Sequence, residues 1–217
     1  MSTSAVDRFR EIIAEPRFKG WPMVGRPYFS PHIPFFGKIA KFQLQTGDGK
    51  IQNYTSVIRP FGWSVCFGVT RQEKVVTLCQ WKHGVNRASL EFSPGGIGEI
   101  DSETTLEKIT ERTELGFLRE TGYGNGNFRY LGYVEIETGM YRGVDFESHG
   151  YPAHLFLATE LEYIPNAQSL GPNDIIETLL VPLAEFPEIL ASGILTETSA
   201  VACAYKALEE LGILKWQ

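Results

Sequence analysis

Residues 39–45 and 51–59 alternate apolar and polar side chains on either side of Thr46-Gly47-Asp48-Gly49-Lys50, and Asp-Gly tolerates the positive φ that a tight turn needs. The spacing predicts a β-hairpin. A second hairpin follows, because residues 63–70 and 75–81 are β-rich runs separated by the polar turn Arg71-Gln72-Glu73-Lys74. Further along, residues 128–137, 154–161 and 175–183 read as strands, the last ending at Val181-Pro182-Leu183. Two helices are expected. One covers residues 104–121; the other covers 198–211, with Val201, Ala204, Tyr205, Leu208 and Leu211 at helical spacing and Gly212 as its stop. Mixed strands with two well-separated helices place the chain in the α+β class and fit an α/β/α sandwich, although periodicity alone does not select that arrangement over other α+β folds.

The N-terminal segment differs. Residues 7–14 form a short amphipathic pattern, with Phe9, Ile12 and Ile13 on one side, and Pro16 ends it. Between Trp21 and Phe36, Pro22, Pro27, Pro31 and Pro34 stand among aromatics, which favours an extended arm packed on a surface over regular structure. The expected division is a helix and arm over 1–36 and a main domain over 37–217.

At 217 residues and 43% hydrophobic, the chain is long enough to bury a core without covalent staples. A net charge of -6, with a pI near 5.3 and no basic run, argues against general nucleic-acid binding. Cys66, Cys79 and Cys203 lie in apolar surroundings and form no CxxC pair, so all three are expected to be buried free thiols in a reducing compartment. There is no signal-like apolar start and no apolar run of about 20 residues. A cytoplasmic protein without membrane contact is expected. The four histidines have no metal-ligand spacing, so no zinc is assigned.

Several short motifs occur in a telling order. They are Gln80-Trp81-Lys82, Leu90-Glu91 ahead of the glycine-rich Pro94-Gly95-Gly96, and Arg119-Glu120-Thr121-Gly122-Tyr123. Later come His154-Leu155-Phe156-Leu157-Ala158, Asn173-Asp174-Ile175-Ile176-Glu177, Val181-Pro182-Leu183 and Ser192-Gly193. Together, from about residue 37 to 211, they resemble the ADP-ribose pyrophosphatase branch of the Nudix superfamily. The resemblance implies a Nudix-like α/β/α sandwich with a mixed sheet, an N-terminal β extension, a nucleotide-sugar-like ligand and a homodimer.

The segment between Gly96 and Gly122, where that family carries its Nudix box, departs from the family's pattern. Relatives place glutamates at i, i+3 and i+4 on one helix face, where they hold Mg²⁺ against a diphosphate. Counting back from Gly122, two of those positions hold Gly116 and Arg119, and Glu120 remains. The spacing from Gly96 to Gly122 is also longer than the family's. Glu111 does not replace the missing acid, since nine residues at about 100° each set it roughly 180° from Glu120. Arg112, Gly116, Arg119 and Glu120 share a stripe instead.

Two site readings follow. In the first, Arg112 and Arg119 contact phosphate directly through their guanidinium forks, with Lys82, Arg87, Glu91, Gly95 and Gly96 lining the ligand. In the second, Glu99 and Glu103 join Glu120 as relocated metal ligands, with Glu120, Glu103 and Asp174 catalytic and Mg²⁺ needed only for hydrolysis. Acids near the start of a helix also favour its N-terminus, which is the structural alternative for Glu99, Glu103 and Glu107. The glycine-rich segment 139–150, with Tyr141, Arg142 and His149, occupies a place where relatives vary a substrate loop. The leading expectation is a divergent binder of a nucleoside-diphosphate-linked ligand with hydrolysis weak or absent. The alternatives are an active metal-dependent pyrophosphatase and a structural or protein-interaction domain.

Overall fold

The computed structural model describes residue 14 and residues 22–32, 37–59, 61–82, 87–99, 103–136, 141–142, 151–171 and 175–215. The helix expected over 7–14, apart from Ala14, lies outside these residues, as do most of segment 139–150 and Asp174.

Strands β1 (Met23–Phe29), β2 (Lys38–Gln45) and β3 (Ile51–Ile58) make an antiparallel N-terminal sheet, extended by the short β10 (Tyr141–Arg142) lying parallel to β3. The β2–β3 hairpin forms as expected. Gly49 takes φ 80°, its N–H donates to Thr46 O at 2.8 Å, and the Thr46 N–H donates to Lys50 O at 2.8 Å. The expected irregular arm is corrected in its middle, where β1 pairs antiparallel with β2. Pro27 is tolerated because the register breaks between Val24 and Tyr28, and Gly25 supplies φ 73° in the same stretch.

The main sheet contains β4 (Phe61–Thr70), β5 (Lys74–Lys82), β6 (Arg87–Glu91), β7 (Ser93–Glu99), β8 (Tyr123–Gly124), β9 (Asn127–Ile136), β11 (Tyr151–Tyr163) and β12 (Ile176–Pro182). Its central order is β12-β5-β4-β11-β8, with β6 on β5, β7 on β4 and β9 on β11. It is mixed: β11 runs parallel to β4 and antiparallel to β9. The stretch expected as a Pro-Gly-Gly loop is strand. Gly95 pairs with Ser64 and Gly96 with Trp63.

Helices α1 (Leu106–Thr121) and α3 (Thr198–Glu210) cover opposite faces, and a shorter α2 (Phe186–Ser192) precedes α3 after a 3-10 turn at Leu183–Glu185. Caps fix both ends of α1: Thr105 accepts from the Lys108 N–H at 3.4 Å, and Gly122 closes the helix at φ 77°. On the α3 face, buried Ala200, Cys203, Ala204 and Ala207 let the helix approach Val65, Phe67, Val75 and Leu155 closely. On the α1 face, Ile109 and Phe117 pack against Cys66, Val76, Ile97, Phe156 and Leu161. Gly68 is required here, because a Cβ would stand 2.4 Å from the Phe117 ring and 2.7 Å from Leu161. Cys66 and Cys203 are buried as expected; Cys79 is exposed, a correction that follows from its place near the end of β5.

A candidate ligand site on the α1 face of the sheet

Alternation along the strands decides which polar side chains meet α1. Leu78 opposes Glu91 and Cys66 opposes Ser93, so Glu91 and Ser93 share the face that Cys66 and Val76 turn toward α1, while Phe92 between them enters the other core. Two residues of strand separate Glu91 from Ser93 by about 7 Å. Glu120, in the last turn of α1, reaches this row.

Glu120 is held on both carboxylate oxygens. The Ser93 hydroxyl donates to Oε2 at 2.8 Å, and Arg119 Nη2 lies 3.1 Å from Oε1. Glu91 is 3% exposed and receives the Lys82 ammonium at 2.6 Å on Oε2, an ionic contact lying off the direction of a hydrogen bond. Such a buried acid is stable as a carboxylate only with a cation beside it. Lys82 and Arg119 remain partly open to solvent, their side chains 30% and 55% exposed. The patch is therefore two carboxylates, two cations and one hydroxyl.

Other expected site residues are dispersed. Arg112 lies about two turns earlier on the same stripe of α1 and donates from Nη1 to Ile97 O at 2.9 Å, which ties it to the backbone of β7. Gly95 and Gly96 are strand residues beside it rather than a phosphate-cradling loop. Arg87 pairs with Lys82 across the β5–β6 ladder. The acids expected as relocated metal ligands are set apart along their elements. Glu103 precedes α1, whose axis alone separates Leu106 from Glu120 by about 21 Å. Glu99 ends β7 opposite Phe61 while Ser93 lies opposite Cys66, so about 17 Å of strand separates them. Among the described residues no group of three or more His, Cys, Asp or Glu is placed to hold a metal ion. Among the described residues, Glu91 and Glu120 already carry the cationic partners Lys82 and Arg119, so this pair of donors does not by itself fit a resident Mg²⁺.

Sequence reasoning missed the partners. Ser93 and the Lys82–Glu91 pair are signalled only by period-two alternation through a segment whose Pro and Gly content reads as loop. It also missed how the end of α1 is satisfied. Gly122 N donates to Leu118 O at 2.8 Å, Ser169 N to Arg119 O at 2.8 Å, Gln168 Nε2 to Glu120 O at 2.7 Å, and Thr178 Oγ1 to Thr121 O at 3.3 Å. Every carbonyl left over by the helix end has a donor. Farther along the same sheet face, the Tyr130 hydroxyl and His154 Nδ1 share a hydrogen bond at 3.1 Å, and burial holds the imidazole below its ordinary pKa.

No family model and no curated protein sequence matches the chain. Among solved structures it is similar to the crystal structure of an ADP compounds hydrolase, at 13% identity, with 90% of this chain and 98% of that chain covered and a TM-score of 0.69. At that identity the likeness is one of fold, and it bears out the α/β/α sandwich with mixed sheet that the ordered motifs imply.

Proposed function

We propose that the chain binds a nucleoside-diphosphate-linked ligand of the ADP-ribose type on the α1 face, with Mg²⁺-dependent hydrolysis weak or absent. The observation that carries this reading is the pairing of Glu120 with Arg119, supported by a hydrogen bond from the Ser93 hydroxyl, and of Glu91 with Lys82. A metal-binding helix face needs carboxylates whose charge is uncompensated; here each has its own cation. The partly exposed Arg119 and Lys82 can instead turn to phosphate oxygens, for which a guanidinium fork is well shaped. The likeness to an ADP compounds hydrolase supports the choice of ligand class. A homodimer belongs to the same reading, with the exposed Tyr28, Phe29 and Ile51 of the N-terminal sheet as apolar surface available to it.

The test is a titration of ADP-ribose and related nucleotide sugars, read by thermal unfolding and by product release with and without Mg²⁺. Ligand should raise the melting temperature saturably without metal. Arg119→Ala should weaken binding by about tenfold, the scale of one lost charge-assisted hydrogen bond. Metal-dependent turnover that disappears in Glu120→Gln would establish a hydrolase and overturn the binder; no saturable shift with any nucleotide would favour an interaction domain.

A further inference from the structure

The N-terminal sheet is basic within an acidic chain. Residues 22–59 hold five cations, Arg26, Lys38, Lys41, Lys50 and Arg59, against the single acid Asp48, a balance of +4 where the whole chain carries -6. Asp48 is already engaged, its carboxylate 2.6 Å from the Lys50 ammonium at the hairpin turn. Arg26 and Lys41, both exposed, have no ion-pair partner among the described residues.

A bulge gathers these two cations around one hollow. Val24 pairs with Gln43 and Tyr28 with Lys41, so Gly25, Arg26 and Pro27 all stand opposite the single residue Phe42, and β1 bows away from β2. The hollow has a volume of about 390 Å³. Phe42 and Tyr54, paired across β2 and β3, close its floor with their backbone, because alternation puts Lys41, Gln43, Asn53 and Thr55 on the open face and the Phe42 ring on the other. The rim is rich in donors. Besides Arg26 and Lys41 it carries the hydroxyls of Tyr28 and Thr55, and the Asn53 carboxamide, whose oxygen accepts from Gln43 Nε2 at 2.9 Å and whose N–H groups are left for another partner. No carboxylate is among the lining residues. Two like charges around one small hollow repel each other, and an anion between them relieves that repulsion.

We propose that this hollow binds a small phosphate monoester, its phosphoryl group held between Arg26 and Lys41. A monoester carries nearly two negative charges at neutral pH, which matches the two cations. The Arg26 guanidinium supplies a planar fork for two phosphate oxygens and the Lys41 ammonium a point charge for the third. Val24 and Tyr28 give the organic body of the ester an apolar side. The inference is independent of the nucleotide reading, since it uses a different sheet and no residue of the α1 face.

The experiment titrates the full chain with glycerol 3-phosphate and with inorganic phosphate, against chloride at matched ionic strength, read by calorimetry and backbone-amide NMR. Glycerol 3-phosphate should bind saturably, more tightly than inorganic phosphate, and shift the amides of residues 41–43 and 53–55, which chloride leaves in place. Arg26→Ala and Lys41→Ala should each weaken binding about tenfold, the scale of one lost charge-assisted contact, at unchanged melting temperature. Lys38→Ala is the control, because Lys38 alternates to the opposite face of β2 and should change the affinity by less than about twofold. Absence of a saturable shift, inorganic phosphate binding as tightly as the ester, or an equal loss in Lys38→Ala would overturn the assignment. So would binding that weakens as the protein concentration rises, the mark of a face covered by a second copy.

Discussion

The two faces of the main sheet are built from the same strands and differ in almost everything else. The α3 face is dry: Phe67, Phe92 and Phe186 interlock there, with centroids 5.0 to 5.6 Å apart, beneath a helix whose buried side is alanine, cysteine and leucine. The α1 face has a smaller apolar centre around Phe117 and Phe156, and a polar row that ends in Glu91, Ser93 and Glu120. Both helices are capped, but α3 rests on the larger apolar cluster, and α1 adds polar contacts from distant residues at its C-terminal end. The sheet thus keeps most of its aromatic packing on one side and its charged row on the other.

That contrast is tested most strongly on the dry side. Phe67→Ala removes a fully buried ring in contact with two others and should cost about 3–5 kcal/mol in chemical denaturation, leaving nucleotide affinity of the folded fraction unchanged. On the other face, Gly68→Ala forces a methyl group into Phe117 and Leu161 and should cost about 1–3 kcal/mol, with α1 displaced and ligand affinity reduced as well. Glu197→Ala removes the cap that accepts from the Ser199 and Ala200 N–H groups at 3.1 and 2.6 Å. It should lower stability by about 1 kcal/mol and fray only the start of α3, as read by hydrogen exchange.

The smallest effect is one of pH. Burial lowers the folded-state pKa of His154 below its ordinary 6.5, so below that pH the unfolded chain takes up a proton that the folded chain refuses. Its contribution is fully present above about pH 6.5 and is lost as the pH falls toward the folded value. His154→Phe should flatten the stability profile in that window. An unchanged slope would assign it to other groups.

The elements with strong local periodicity were legible. The β2–β3 hairpin, the long β11, α1 and α3 follow from alternation, turn glycines and caps, each a signal contained within a few residues. What was not legible depends on distant partners. Met23–Phe29 and Ser93–Glu99 are strands because β2 and β4 lie beside them, overriding prolines and glycines that locally read as arm and loop. The short α2 was missed between the last strand and the last helix. Within the site, Glu120, Glu91, Lys82 and Arg119 were legible by type, but their pairing was not. It requires strands β5, β6 and β7 to present one face to the end of α1. Arg112 shares the predicted stripe with Glu120, yet its guanidinium turns back to Ile97 O, a choice no spacing rule encodes.

The satisfied end of α1 joins the helix to distant parts of the chain. Two of its terminal carbonyls wait for donors 48 and 57 residues farther along the chain, and a third for the Ser169 amide. The body of the helix rests on local contacts, whereas its end is completed by groups far along the sequence, Gln168, the Ser169 amide and Thr178. Hydrogen exchange at the Ser169 amide, which donates to Arg119 O, therefore reads the closure of this end apart from the formation of the helix body.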